Sequence, residues 1–221
     1  MLSELPLHLL LEIGKFSPDT WKALAFSVPR VGRWSLDKDY QKYVQRQFTN
    51  CIEYNPPKDG YIIREYKINN KLHNVDSPSL EYTDGTKKWY INGELHRDDD
   101  LPAVEDCYDN KKWFQNGKYH RDNDLPALEL ADGNKHWFQH GEHHRDNDLP
   151  AVEQLHGTKE WFRNGKHHRG NDKPAIEWSN GRRDWYKNGE LHRHNDLPAI
   201  EWPDGRKEWY ERGRCYKFKH D

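Results

Sequence analysis

Five times the chain brings a histidine, an arginine and an acid together: His96, Arg97 and Asp100; His120, Arg121 and Asp124; His144, Arg145 and Asp148; His168, Arg169 and Asp172; His192, Arg193 and Asp196. Imidazole beside carboxylate is the raw material of metal ligation and of general acid–base catalysis. The spacing argues against both. If each copy adds two strands to a sheet, equivalent histidines stand roughly 9–10 Å apart, whereas zinc holds its ligand atoms about 2 Å away. The doublets His143-His144 and His167-His168 point to opposite faces of a strand. An enzyme needs one asymmetric constellation, and here the same one recurs. There is no glycine-rich phosphate loop and no nucleophile motif. The histidines, arginines and aspartates are therefore read as bonding each other and the loop backbone before each proline. That fixes the return from one hairpin to the next. No catalytic residue, metal or cofactor is called for.

The elements that would carry these residues recur every 24 positions. Trp89, Trp113, Trp137, Trp161, Trp185 and Trp209 keep that spacing, as do Pro78, Pro102, Pro126, Pro150, Pro174 and Pro198. Each copy has two turn signals, an Asp-Gly type (Asp84-Gly85, Asp132-Gly133, Asp204-Gly205) and an Asn-Gly type (Asn92-Gly93, Asn116-Gly117, Asn164-Gly165, Asn188-Gly189). Both supply the positive φ that tight hairpins need. Short strands such as "KKWYI" and "PAVE" run between them. No connection is long enough for a helical crossover, so pairing must be antiparallel. The expected fold is mainly β: an elongated, twisted antiparallel sheet of stacked hairpins, about seven 24-residue repeats and about fourteen strands, with the Trp ladder as core and a small N-terminal α-helical segment. The first copy, "YKINNKLHNVDSPSLE", has Tyr66 for the Trp, and the last stops after its hairpin. Open sheet edges at the two ends are sites of association.

Three segments are expected: 1–48 helical, 49–60 a linker broken by Pro56-Pro57, and 61–221 the repeat array. In the first, Leu5, Leu9, Leu10, Ile13 and Phe16 share a helical stripe. Ser17-Pro18-Asp19 starts a second helix, continued by Trp21, Leu24, Ala25 and Val28. Leu36, Tyr40, Tyr43, Val44 and Phe48 form a third stripe.

Of the 221 residues, 33% are hydrophobic and 33% charged, with ten Trp and twelve Tyr. That suits a thin, aromatic-lined structure. A net charge of −2 argues against a nucleic-acid or membrane-surface binder, which needs a basic excess. The aromatic ladders could stack bases, but the charges around them balance, so core packing is the reading. Cys51, Cys107 and Cys215 are odd in number and far apart, as suits a reducing compartment. Glu4, Pro6 and Glu12 interrupt the first apolar stretch, so no signal peptide is expected. No apolar run nears the roughly 20 residues of a membrane span.

Residues 61–221 resemble the MORN family in the variant reading WY-x-NG-x-x-HR-x-x-x-x-PA. They depart from its standard pattern, which is richer in Gly and lacks the His-Arg. Such arrays occur in large DNA viruses of amoebae, so the resemblance implies such a source. The start resembles an F-box through Leu5-Pro6, Leu9-Leu10, Ile13, Ser17-Pro18-Asp19, Leu24, Val28 and Trp34, with "SVPRVGRW" where that family often has a Val-Cys-Arg-x-Trp run. The F-box resemblance implies docking on a Skp-type adaptor of a ubiquitin ligase, with the rest of the chain holding a target. The alternative is a structural scaffold whose helices cap the sheet or join two copies as a homodimer. Both readings place the protein inside a cell, in host cytoplasm or nucleus, or packaged in a virion.

Overall fold

The structure, a computed structural model, describes residues 50–59 and 61–219. The F-box-like residues Leu5, Pro6, Leu9, Leu10, Ile13, Leu24, Val28 and Trp34 lie outside them. The described residues are mainly β, with hairpins stacked into antiparallel sheet and no helix. The chain divides into two compact units, 1–95 and 96–221.

In the first unit Ile62–Ile68 is central. It pairs with Asn50–Lys58 on one side and Leu80–Tyr82 on the other, and Leu80–Tyr82 pairs in turn with Lys87–Lys88. The segment expected as a linker therefore holds a strand. The register skips from Glu53 to Lys58. Pro56 and Pro57 fall in the skipped stretch, where no ladder hydrogen bond is demanded of them. Tyr66 occupies the Trp place of the first copy. Its N–H donates to Ser79 and its carbonyl accepts from His73, as Trp113 bonds Ala127 and His120 one unit on.

In the second unit each interior copy has four two-residue strands. In the first of these copies they are Val104–Glu105, Lys111–Lys112, Phe114–Gln115 and Lys118–Tyr119. The first pair joins the continuous sheet, and the second forms a side hairpin. The expected single strand through "KKWFQ" is thus cut at its Trp. The cut has a hydrogen-bond cause. Trp113 N–H donates forward to Ala127 of the next copy at 2.8 Å, while its carbonyl accepts from His120. The chain leaves one ladder and enters another at that residue. Successive side hairpins are tied by one bond each, from Gly141 N–H to the Tyr119 carbonyl, Gly165 to His143 and Gly189 to His167. The side-hairpin turns put Asn116, Asn164 and Asn188 at positive φ, as their Asn-Gly signals require.

Trp forms the core in each unit, Trp89 in the first and the row Trp113, Trp137, Trp161, Trp185 and Trp209 in the second, all only 5–7% exposed. Ala103, Ala127, Ala151, Ala175 and Ala199 are fully buried, which explains the fixed Pro-Ala after each loop: a larger side chain would overpack the site. On one face of the sheet, acids and bases alternate across strands, with Lys111 opposite Glu105 and Glu129, Lys135 opposite Glu129 and Glu153, and Lys159 opposite Glu153 and Glu177. Such cross-strand pairs favour this register.

Candidate functional site

The His-Arg-Asp sets form one structure, repeated. In each loop two consecutive residues sit at positive φ: Asp99-Asp100, Asn123-Asp124, Asn147-Asp148, Asn171-Asp172 and Asn195-Asp196. Asn and Asp tolerate this backbone better than other side-chain-bearing residues. The turn aims the aspartate toward the next copy. Its carbonyl accepts the indole N–H of the following Trp, Asp124 from Trp137 and Asp148 from Trp161, each at 2.9 Å. In the first four of these loops its carboxylate accepts two bonds from the following Arg. Arg121 Nε and Nη2 reach Asp100 at 2.8 and 2.9 Å. Arg145 grips Asp124, Arg169 grips Asp148 and Arg193 grips Asp172 in the same way. Each of these four guanidiniums also lies over its own Trp, 3.6–3.9 Å from the ring centre. Nη1 then donates to the carbonyl of the following Pro and to a Glu on the sheet, Pro126 and Glu129 for Arg121.

The Arg therefore bonds the loop backbone within its copy, but its aspartate belongs to the copy before. Sequence spacing grouped His120, Arg121 and Asp124; the structure joins Arg121 to Asp100. A fork of five N–H donors suits this many-partnered role as Lys would not.

His96, His120 and His168 bridge in the other direction, each through an Nδ1 that accepts a backbone N–H of the next copy. His96 Nδ1 accepts the backbone N–H of Asn116, and Nε2–H donates to Asp98 at 3.2 Å. His120 repeats this with His140 and Asp122, and His144 Nε2 with Asp146. His73, His168 and His192 have Val75, Gly170 and His194 where that aspartate stands. Burial pushes all three imidazoles below the ordinary histidine range. The Nε2 of His73 is buried without a hydrogen-bond partner.

The array is not uniform. Along the side hairpins Phe114, Tyr119, Phe138, His143, Phe162, His167 and Tyr186 stack in one file, centres 4.1–5.1 Å apart. In the middle of that file His143 Nε2 lies 3.2 Å from His136 Nδ1, and His167 Nε2 lies 2.8 Å from Glu160 Oε2. Burial, then repulsion from His136, pushes His143 down to about 4. Burial also lowers His136, while the His167 bond holds Glu160 low. Farther along, Asp184 is buried under Arg182 and the Trp178 indole. No signal in a single copy foretells these contacts. They arise where "KHW", "KEW" and "RDW" depart from "KKW".

Crevices of about 230 and 320 Å³ lie between successive loops, one bounded by His120, Asp122, Leu125 and Trp137, the other by His96, Asp98, Trp113 and His120. Of their acids, Asp98, Asp122 and Asp146 are tied to histidines, and Asp100 and Asp124 to arginines. Among the described residues no three His, Cys, Asp or Glu side chains converge so as to hold a metal ion, and no helix is long and apolar enough to cross a membrane. Neither the protein-family models nor the curated proteins compared with this chain give a match.

Proposed function

We propose that the chain is a non-catalytic protein-interaction repeat protein, a MORN-like array whose F-box-like start docks a Skp-type ubiquitin-ligase adaptor while the repeat sheet holds a target. The observation that favours an interaction role is the distribution of chemistry. The ionisable groups of the loops are spent on the same Asp–Arg–Trp contact, copy after copy, and this rigid framework suits display rather than turnover. The motif Leu5-Pro6, Leu9-Leu10, Ile13, Leu24, Val28 and Trp34 supports the adaptor half.

The test is affinity purification of the intact protein from a eukaryotic host beside a Leu5→Ala, Pro6→Ala variant. Recovery of a Skp-type adaptor and a cullin with the intact chain alone supports the proposal. Recovery of neither sinks it. The second reading, a scaffold with helices that cap or dimerise, draws on the inter-copy contacts themselves, since they stiffen an array whatever it carries. Recovery of only a second copy of the chain selects it.

A further inference from the structure

The strand Arg214–Lys219 closes the sheet of the second unit by a change of register. In interior copies the residue before each Trp pairs with an aliphatic of the following copy: Lys112 with Leu128, His136 with Val152, Glu160 with Ile176 and Asp184 with Ile200. In the last copy Glu208 pairs with Phe218, and Lys207 with Lys219. The hairpin that elsewhere leaves the sheet here folds back into it and takes the place of the next strand. Among the described residues no strand pairs with its far side. All six side chains are exposed, with Tyr216 at 54% and Phe218 at 70%. An exposed edge strand presents alternate backbone N–H and C=O groups to whatever approaches.

The edge also has a sign. Residues 212–219 carry Arg212, Arg214, Lys217 and Lys219 and no carboxylate. The acid–base alternation across the sheet runs Glu177, Arg183, Glu201, Lys207 and then Lys219, a second base where an acid would continue it.

We propose that this edge binds an extended acidic segment of a partner protein by strand addition. The segment's backbone bonds the far side of Arg214–Lys219. Its carboxylates face the cations, and its apolar residues cover Tyr216 and Phe218. The same cations repel the identical strand of a second copy, so they guard against self-pairing while favouring an acidic one. The inference rests on the reading that the repeat sheet holds a target, and it names where and of what chemistry. It does not depend on the F-box-like segment.

The test uses the full chain and a fluorescent peptide of roughly eight residues alternating Glu with Val. One companion peptide has Lys for Glu, and another has alternate backbone amides methylated. Expected are saturable binding by the acidic peptide and at least a tenfold loss with either companion. Binding should also weaken about tenfold between about 0.05 M and 0.5 M salt. Arg214→Glu weakens binding tenfold or more with unchanged circular dichroism, while Lys118→Glu, far from the edge and opposite the neutral Gln115, does not. Absence of saturable binding overturns the proposal, as does equal binding of the methylated peptide. So does a concentration-dependent dimer abolished by Arg214→Glu, which makes a second copy the occupant. Adaptor capture without peptide binding refutes this site alone; peptide binding without adaptor capture refutes the adaptor half alone.

Discussion

Arg169 reaches back 21 residues to bind both oxygens of Asp148, at 2.8 and 3.2 Å, while its guanidinium lies over Trp161. One side chain thereby joins two copies and covers the core of its own. Lys can stack on a Trp but cannot make the two-pronged bond. The last copy illustrates this division. Lys217 covers Trp209 at 4.3 Å, and the Asp196 carboxylate accepts instead from the Tyr216 hydroxyl. Arg169→Lys is expected to cost about 1 kcal/mol and Arg169→Ala about 2 kcal/mol in denaturant unfolding.

The same contact predicts an acid limb. Arg169, then Lys173, holds the Asp148 carboxyl down to about 2. A lowered carboxylate contributes stability above its unfolded value, roughly 4, that is lost as pH falls toward 2. Asp148→Asn should flatten melting temperature against pH in that window. Because Asp148 is partly exposed, solvent keeps the effect small.

A second limb lies higher. His143, with a folded value of about 4, gains its proton more readily when unfolded, at roughly 6.5. Stability is then full above that value and falls as pH drops from 6.5 toward 4. His136 acts in the same direction, and Glu160, held low chiefly by the His167 bond, loses its own contribution as pH falls below the ordinary carboxylate range. His143→Tyr, which copies Tyr119 one repeat earlier, should remove much of the slope. Hydrogen exchange at pH 7 and pH 5 should show the wild-type loss centred on residues 135–167. An unchanged slope in the variant would sink the assignment.

His73 offers a gain. It is 1% exposed and its Nε2 has no partner, while His96 and His120 donate to the aspartate two places on. Val75→Asp supplies that acceptor and should stabilise the first unit by about 1 kcal/mol. A neutral or negative change in unfolding free energy would mean the first loop cannot bring a carboxylate round.

Arg212 sits at φ 47° in a turn where five other copies use Asn. A long side chain in that region is strained. Arg212→Asn should raise the terminal hairpin's stability by about 0.5–1 kcal/mol, read as slower amide exchange across residues 207–219.

The repeating framework was legible in the sequence because its causes are local. Asn-Gly needs positive φ, and the 24-residue period of Trp and Pro did the rest, while the burial of each Ala after Pro emerged only from the structure. What escaped was non-local. The partner of Arg121 is Asp100 rather than Asp124, since nothing in a 24-residue period says whether an acid serves its own copy or the next. The break of each strand at Trp escaped too, because it follows from a bond to Ala127 fourteen residues on. Pro56-Pro57 argued for a linker, yet the strand there simply skips them. The His136–His143 contact needs side-chain packing between layers, which no strand pattern encodes.

The half-and-half nature of the Asp–Arg clasp bears on heredity. Four junctions of the second unit join the aspartate of one copy to the arginine of the next, so those four are interchangeable with one another. Excising residues 125–148 would bring Asp124 to the place before Arg169 and restore a complete clasp at the seam. Unequal recombination in whole copies can therefore lengthen or shorten the array without repairing a single interface. Only the features that break the period, the histidine cluster and the closing strand, register how many copies have come and gone.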